Sequence, residues 1–143
     1  PTVKAVHFPM SASCPFNCYI SIDKKVDGET KQAALAALGG CDFVKHVVVV
    51  DADIDIYNEE EVMWAVATRV QADQDVDVIK NVKGNTLDPS QTDNIMTAKM
   101  IIDATKPIQR PYEARVAVPK TAMEKTRLED FIPRSVVDRL PKA

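Results

Sequence analysis

The sequence predicts an α/β fold: a mixed, mostly parallel sheet flanked by helices, then an extended, proline-punctuated tail with a short terminal helix. Two observations carry that prediction. Residues 47–50 are four consecutive valines running into Asp51, Asp53 and Asp55. A short run of β-branched residues suits a strand buried on both faces of a helix-covered sheet. Strand-like and helix-like stretches also alternate in the order β-β-α-β-α-β-β-α, which favours a sheet with helices packed on it.

The elements follow in order. Residues 2–8 and 17–22 read as strands, the second with Cys18, Ile20 and Ile22 on one side and Tyr19 and Ser21 on the other. Pro9 to Pro15 is a loop of small residues. Gly28 opens a helix over 29–38, rich in alanine and leucine, and Gly39-Gly40 is expected to end it. The valine strand leads through an acidic loop to a helix with Asn58 as N-cap and Glu61 at N3, a capping-box variant. Val62, Ala65, Val66, Arg69 and Val70 then recur at helical spacing. Residues 75–80 alternate as a strand near a sheet edge. Residues 81–96 read as a polar loop and 100–102 as a last short strand. Pro133 fits position N1 of a terminal helix over 133–140.

Composition bounds the function. At 143 residues the chain is large enough for a real core, with 45% apolar and 27% charged residues. The formal net charge of −3 argues against a general nucleic-acid binder. No apolar run reaches the roughly 20 residues of a membrane span. No secretory signal precedes the first strand, so Cys14, Cys18 and Cys41 are expected to be reduced thiols in a cytoplasmic setting. The tail, 106–143, holds too few apolar residues for its own core. It is expected to pack on a partner domain or subunit, beside a domain spanning 1–105.

No self-contained reaction centre is legible. The Asp51–Asp55 loop could hold a divalent cation, but Ile56 and Val62 stand where an EF-hand needs Gly and Glu. Asp51 and Asp53 are better read as acceptors for backbone donors, with Asp55 easing the helix entry. Cys14, Cys18, Cys41, His7 and His46 are zinc-type residues without a second paired motif. A nucleophilic cysteine would need a base held in reach. Gly39-Gly40 is no phosphate cradle, and no G-x-G-x-x-G occurs. Trp64 lies off the apolar stripe; core packing is the default, with a domain or subunit interface as the alternative. Lys99 and Asp103 bracket a short strand and are assigned structural roles, with Lys99 a candidate partner for a loop carboxylate.

The stretch KHVVVVDADIDIYNEEEVMWAVATR, followed by GNTLDPS and KMIIDAT, resembles the carboxy-terminal domain of UbiD-type decarboxylases. The resemblance runs from about Val3 to about Thr105. It implies the carboxy-terminal domain, or a stand-alone small subunit, of an enzyme that adds or removes carboxyl groups on aromatic or α,β-unsaturated acids. It also implies that prenylated FMN, a divalent metal, potassium and the catalytic arginine and glutamates belong to a larger domain absent from this sequence. The chain alone is then expected to be inactive. By the same resemblance, the loop at 83–90 reaches the substrate pocket of the larger domain. Asn85 and Leu87, with Thr86 between them, are the pocket candidates. Oligomer contacts are expected of the domain and its tail helix. The start just before the first strand and the Leu-Pro-Lys-Ala end give an expectation of a natural small subunit. Two other readings stand beside this one: a purely structural oligomerisation module, and an independent small-molecule-binding α/β domain.

Overall fold

A computed structural model describes residues 2–13, 15–92, 94–127, 130–137 and 139. They fall into two compact units, 1–112 and 113–143. The first holds β1 (Val3–His7), a 3-10 turn (Met10–Ala12), β2 (Asn17–Ile22), α1 (Glu29–Gly40), β3 (His46–Asp51), α2 (Glu59–Arg69), β4 (Val76–Lys83) and β5 (Met96–Ala104). The second holds two short helices, α3 (Lys120–Lys125) and α4 (Arg134–Val137).

The five strands form one mixed sheet in the order β1-β2-β3-β5-β4. The three central strands are parallel, while β1 pairs antiparallel with β2 and β4 antiparallel with β5. The expected mostly parallel character is thus corrected: two of the four pairings are antiparallel. The cause is that β4 and β5 form a hairpin, so no helix turns the chain between them.

Alternation along the valine strand sends successive side chains to opposite faces. Val47 and Val49 join Cys18, Ile20, Ile22, Ala34, Leu38 and Ile101 on the face that α1 covers. Val48 and Val50 join Tyr19, Ile54, Ile56, Val62, Ala65 and Ala104 on the face that α2 covers. Both faces are filled, which is why the run shows no polar alternation.

Several local expectations shift. Gly39 and Gly40 lie inside α1, and Cys41 is its C-cap in extended backbone. The carbonyls at this helix end need no left-handed glycine, because the Lys99 ammonium donates to Leu38 O at 3.0 Å and Cys41 O at 3.2 Å. Lys99 is 2% exposed, so it is not the surface partner of a loop carboxylate. Burial pulls its pKa below the ordinary value, against the Asp42 and Cys41 charges. The polar loop is shorter than 81–96. A register shift between Ile79 and Val82, with Asn81 at φ 58°, lets β4 continue to Lys83 before β5 starts at Met96.

Asn58 caps α2 by accepting from Glu60 N at 3.0 Å. Glu61 reaches past the N-cap to Asp55 N at 3.2 Å, so the capping box is not reciprocal. In the tail, α3 was not expected. Helix α4 begins at Arg134, one residue after Pro133, and the end of the expected 133–140 helix reaches outside the described residues. Among the described residues no helix is long and apolar enough to cross a membrane.

Candidate functional site

Two polar constructions sit at opposite ends of the parallel strands. The first is the β4–β5 hairpin loop, residues 84–95, at the end where β2, β3 and β5 begin. Gly84 closes its base: its N–H donates to Ile95 O at 2.8 Å. A Cβ at Gly84 would sit 3.3 Å from the Thr97 methyl, so little room remains for a side chain. Asn85 folds the tip onto itself, because Leu87 N donates to its side chain at 3.0 Å and Asp88 N to its carbonyl at 2.9 Å. This is the Asx-turn chemistry that short polar side chains favour.

Asp88 anchors the loop. Only 3% of it is exposed. It accepts from Lys45 Nζ at 2.8 Å, from Ser90 N and Oγ at 2.9 Å, and from Thr97 Oγ1 at 3.4 Å. Lys45 also donates to Ser90 Oγ at 2.7 Å. The Lys45 hydrogen bond, with those from Ser90, lowers the Asp88 carboxyl to about 2 against the pull of burial. Beside the loop lies an open groove of about 510 Å³ lined by Lys45, His46, Val78, Lys80, Ser90 and Thr97 among others.

The three predicted pocket residues are therefore not equivalent. The Asn85 side chain is committed to its own turn, whereas Thr86 is exposed and Leu87 is 71% exposed at the tip.

The second construction lies where the parallel strands end. Arg69, from the last turn of α2, donates to Asp51 at 2.8 Å and to both oxygens of Asp53 at 3.2 and 3.0 Å. Lys106 adds its backbone N–H to Asp51 at 2.8 Å and its ammonium to Asp53 at 2.6 Å. The Arg69 guanidinium lies 5.3 Å from the Trp64 ring and 6.0 Å from the Tyr112 ring. Tyr112 in turn donates to Thr68 O at 2.6 Å. Arg69 Nε is buried with no hydrogen-bond partner among the described residues.

Burial pushes the Asp51 carboxyl up, outweighing the Lys106 N–H and the Arg69 charge. For Asp53 burial is again the largest single influence, but the Arg69 and Lys106 hydrogen bonds together bring it below its ordinary value. The predicted acceptor role for backbone donors holds at Asp51 but not at Asp53, whose carboxylate takes the Arg69 and Lys106 side chains instead, while Asp55 accepts from Tyr57 N just ahead of the helix. The larger part, a cationic clamp, was missed. A signal existed: an arginine inside the apolar stripe of the helix that follows three aspartates. Trp64 is half-buried and packs on the second core cluster.

The zinc-type residues are dispersed. His7 lies against Tyr57 with ring centroids 4.9 Å apart and the planes tilted by 54°, and His46 Nδ1 meets Asn17 at 2.9 Å. Cys18 is fully buried, and burial pushes its thiol up to about 11. Cys14 lies outside the described residues. Among the described residues no cluster of three or more His, Cys, Asp or Glu could hold a metal.

The two long helices also do not suit a flavin phosphate. The first turn of α2 carries Glu59, Glu60 and Glu61, and that of α1 carries Glu29. Carboxylates there occupy the positive end of the dipole that would otherwise hold an anion.

Fold and site together define a three-layer α/β domain that presents a loop closed by internal hydrogen bonds and an ion pair. The chain belongs to the UbiD family: residues 1–104 match the 3-octaprenyl-4-hydroxybenzoate carboxy-lyase C-terminal domain. Among curated relatives, it is 44% identical over 108 residues to the anhydromevalonate phosphate decarboxylase of Aeropyrum pernix, covering 76% of this chain and 24% of that protein. It is 40% identical over 111 residues to the phenolic acid decarboxylase of Sedimentibacter hydroxybenzoicus, covering 73% and 23%. Among solved structures, the UbiD-class enzyme HmfF from Pelotomaculum thermopropionicum in complex with FMN aligns with a TM-score of 0.79 at 46% identity, over 92% of this chain and 29% of that one. An evolved dimeric form of that enzyme, in complex with prenylated FMN, aligns with a TM-score of 0.68 at 41% identity, over 92% and 26%. The chain spans about a quarter of the length of the curated relatives it matches.

Proposed function

We propose that this chain is the carboxy-terminal domain, or an equivalent small subunit, of a UbiD-like reversible decarboxylase for aromatic or α,β-unsaturated carboxylic acids. The observation that carries the reading is the family match over residues 1–104, together with relatives named as decarboxylases of which the aligned part is about a quarter. In this reading the prenylated FMN, the divalent metal, the potassium ion and the catalytic arginine and glutamates lie in a larger domain or subunit. The lack of fit between a flavin phosphate and the acidic first turns of α1 and α2 supports that division. The present chain closes one side of the substrate pocket with the 85–87 tip, and its tail packs on the partner and supplies oligomer contacts. Trp64 is the interface candidate on α2. A loop fixed on a rigid scaffold is how specificity is commonly added to a site.

Co-expression tests this. The chain is produced beside each UbiD-type large chain of its source and recovered through a tag on the large chain. Recovery of both chains with decarboxylation of an aromatic or unsaturated acid is expected. Failure to associate with any of them contradicts the small-subunit form of the reading.

A further inference from the structure

The 84–95 loop contains a buried ion pair that a contact at its tip does not by itself require. A hairpin loop can be closed by its backbone alone, as the Gly84–Ile95 hydrogen bond does here. Yet this one buries a carboxylate almost completely and satisfies it from three directions: Lys45 at the head of β3, Ser90 within the loop, and Thr97 on β5. Burying a charge is costly unless it is paired and hydrogen-bonded, so such an arrangement stabilises one conformation over its neighbours.

The three anchors come from different parts of the fold. Lys45 lies 43 residues before Asp88 and is tied to the sheet through its own backbone: its N–H donates to Phe16 O at 2.8 Å, and its carbonyl accepts from Met100 N at 2.7 Å. The fixed point is therefore the sheet itself. One residue before Asp88, Leu87 points outward at 71% exposure, with its N–H held by Asn85. An exposed leucine on a rigid turn is a preorganised apolar contact, which loses little conformational freedom when it meets a partner.

We propose that Lys45 and Asp88 are positioning residues for substrate selection, holding the turn so that Leu87 is presented in one orientation. The proposal rests on the reading that the tip meets the substrate pocket of the larger domain. It also separates roles within the loop: Leu87 makes the contact, Asn85 shapes the turn, and the Lys45–Asp88 pair sets where the turn stands. A side chain that acts through another in this way alters discrimination between substrates, since small displacements of a pocket wall are felt as differences in fit.

Two measurements test it. In the chain alone, hydrogen exchange at the Leu87, Asp88 and Ser90 amides is compared among wild type, Lys45→Met, Asp88→Asn and Lys45→Arg. The first two variants should speed exchange at these amides by roughly tenfold or more while β3 stays protected, and Lys45→Arg should restore protection. Unchanged exchange in both Lys45→Met and Asp88→Asn overturns the anchor. In the assembled enzyme, the ratio of kcat/KM for a monocyclic against a bicyclic aromatic acid is measured for the same variants and for Leu87→Ala. Lys45→Met and Leu87→Ala should shift the ratio in the same direction by about tenfold, with Lys45→Arg close to wild type and the double variant non-additive. A shift in Leu87→Ala but none in Lys45→Met or Asp88→Asn overturns the positioning role alone. An unchanged ratio in Leu87→Ala contradicts the pocket reading and removes the role in selection with it.

Discussion

The two ends of the parallel strands solve the problem of a buried charge in different ways. Where the strands end, one arginine is shared between two aspartates, flanked by two aromatic rings, and joined by a lysine from the segment leaving β5. That network ties α2, the acidic loop and residues 105–112 together. Where the strands begin, one aspartate gathers a lysine, two hydroxyls and a backbone N–H to hold a single loop. The first clamps elements of the fold to each other, and its loss should be felt globally. The second fixes a protruding turn, and its loss should be felt locally.

The comparison breaks most visibly at Arg69. Arg69→Leu leaves Asp51 and Asp53 with Lys106 alone, so global stability should fall by about 3 kcal/mol in urea unfolding. A change below about 1 kcal/mol would mean that the network is peripheral. Lys99→Met removes the donor to two carbonyls at the end of α1 and should cost about 2 kcal/mol in the same assay, since unsatisfied carbonyls replace bonded ones. Asn58→Ala deletes the α2 cap and should cost about 1 kcal/mol.

Asp51 and Asp88, one from each end, differ in sign on acidification. Asp88 has a depressed folded pKa, about 2, so its contribution is complete above the ordinary carboxylate range and is lost progressively as pH falls from there through about 2. Asp51 is raised, so its proton arrives in the folded state before it would in the unfolded chain, and this group favours folding as pH falls. Carboxyl-carbon NMR should show Asp51 titrating at higher pH than Asp88; the reverse order would contradict the burial and pairing described. The smallest stability effect is expected at Leu87: Leu87→Ala should change unfolding by less than about 0.5 kcal/mol, because the side chain is 71% exposed.

The strands and helices that carry strong periodicity were legible in the sequence. Strand β2 spans the expected Asn17–Ile22, and the valine run becomes β3 with both faces buried. The capped start of α2 was legible from Asn58. The β4–β5 hairpin was read short, because Asn81 in left-handed backbone and the polar residues around it look like a loop while a register shift keeps the strand going. Gly39-Gly40 looked like a stop signal, but the helix runs through both and is capped from β5 by Lys99, 58 residues beyond Cys41. Such long-range caps leave no local trace.

The candidate site divides in the same way. The loop at 83–90 stood out through its family resemblance, which named Asn85, Thr86 and Leu87. Asp88 and Lys45 did not stand out, because their pairing spans 43 residues and each alone is an ordinary surface-type residue. Arg69 was seen only as a member of a helical stripe, since sequence spacing gives the face but not what faces it.

The central proposal is that this domain works only as part of a larger flavin enzyme. Gentle purification of the untagged chain from its source, followed by size-exclusion mass and an absorbance spectrum, tests it most directly. The account predicts a large assembly that contains flavin-like absorbance and the polypeptide of the larger domain, whether as a second chain or as a continuation of this one. A lone particle of monomer or dimer mass without a chromophore would contradict it.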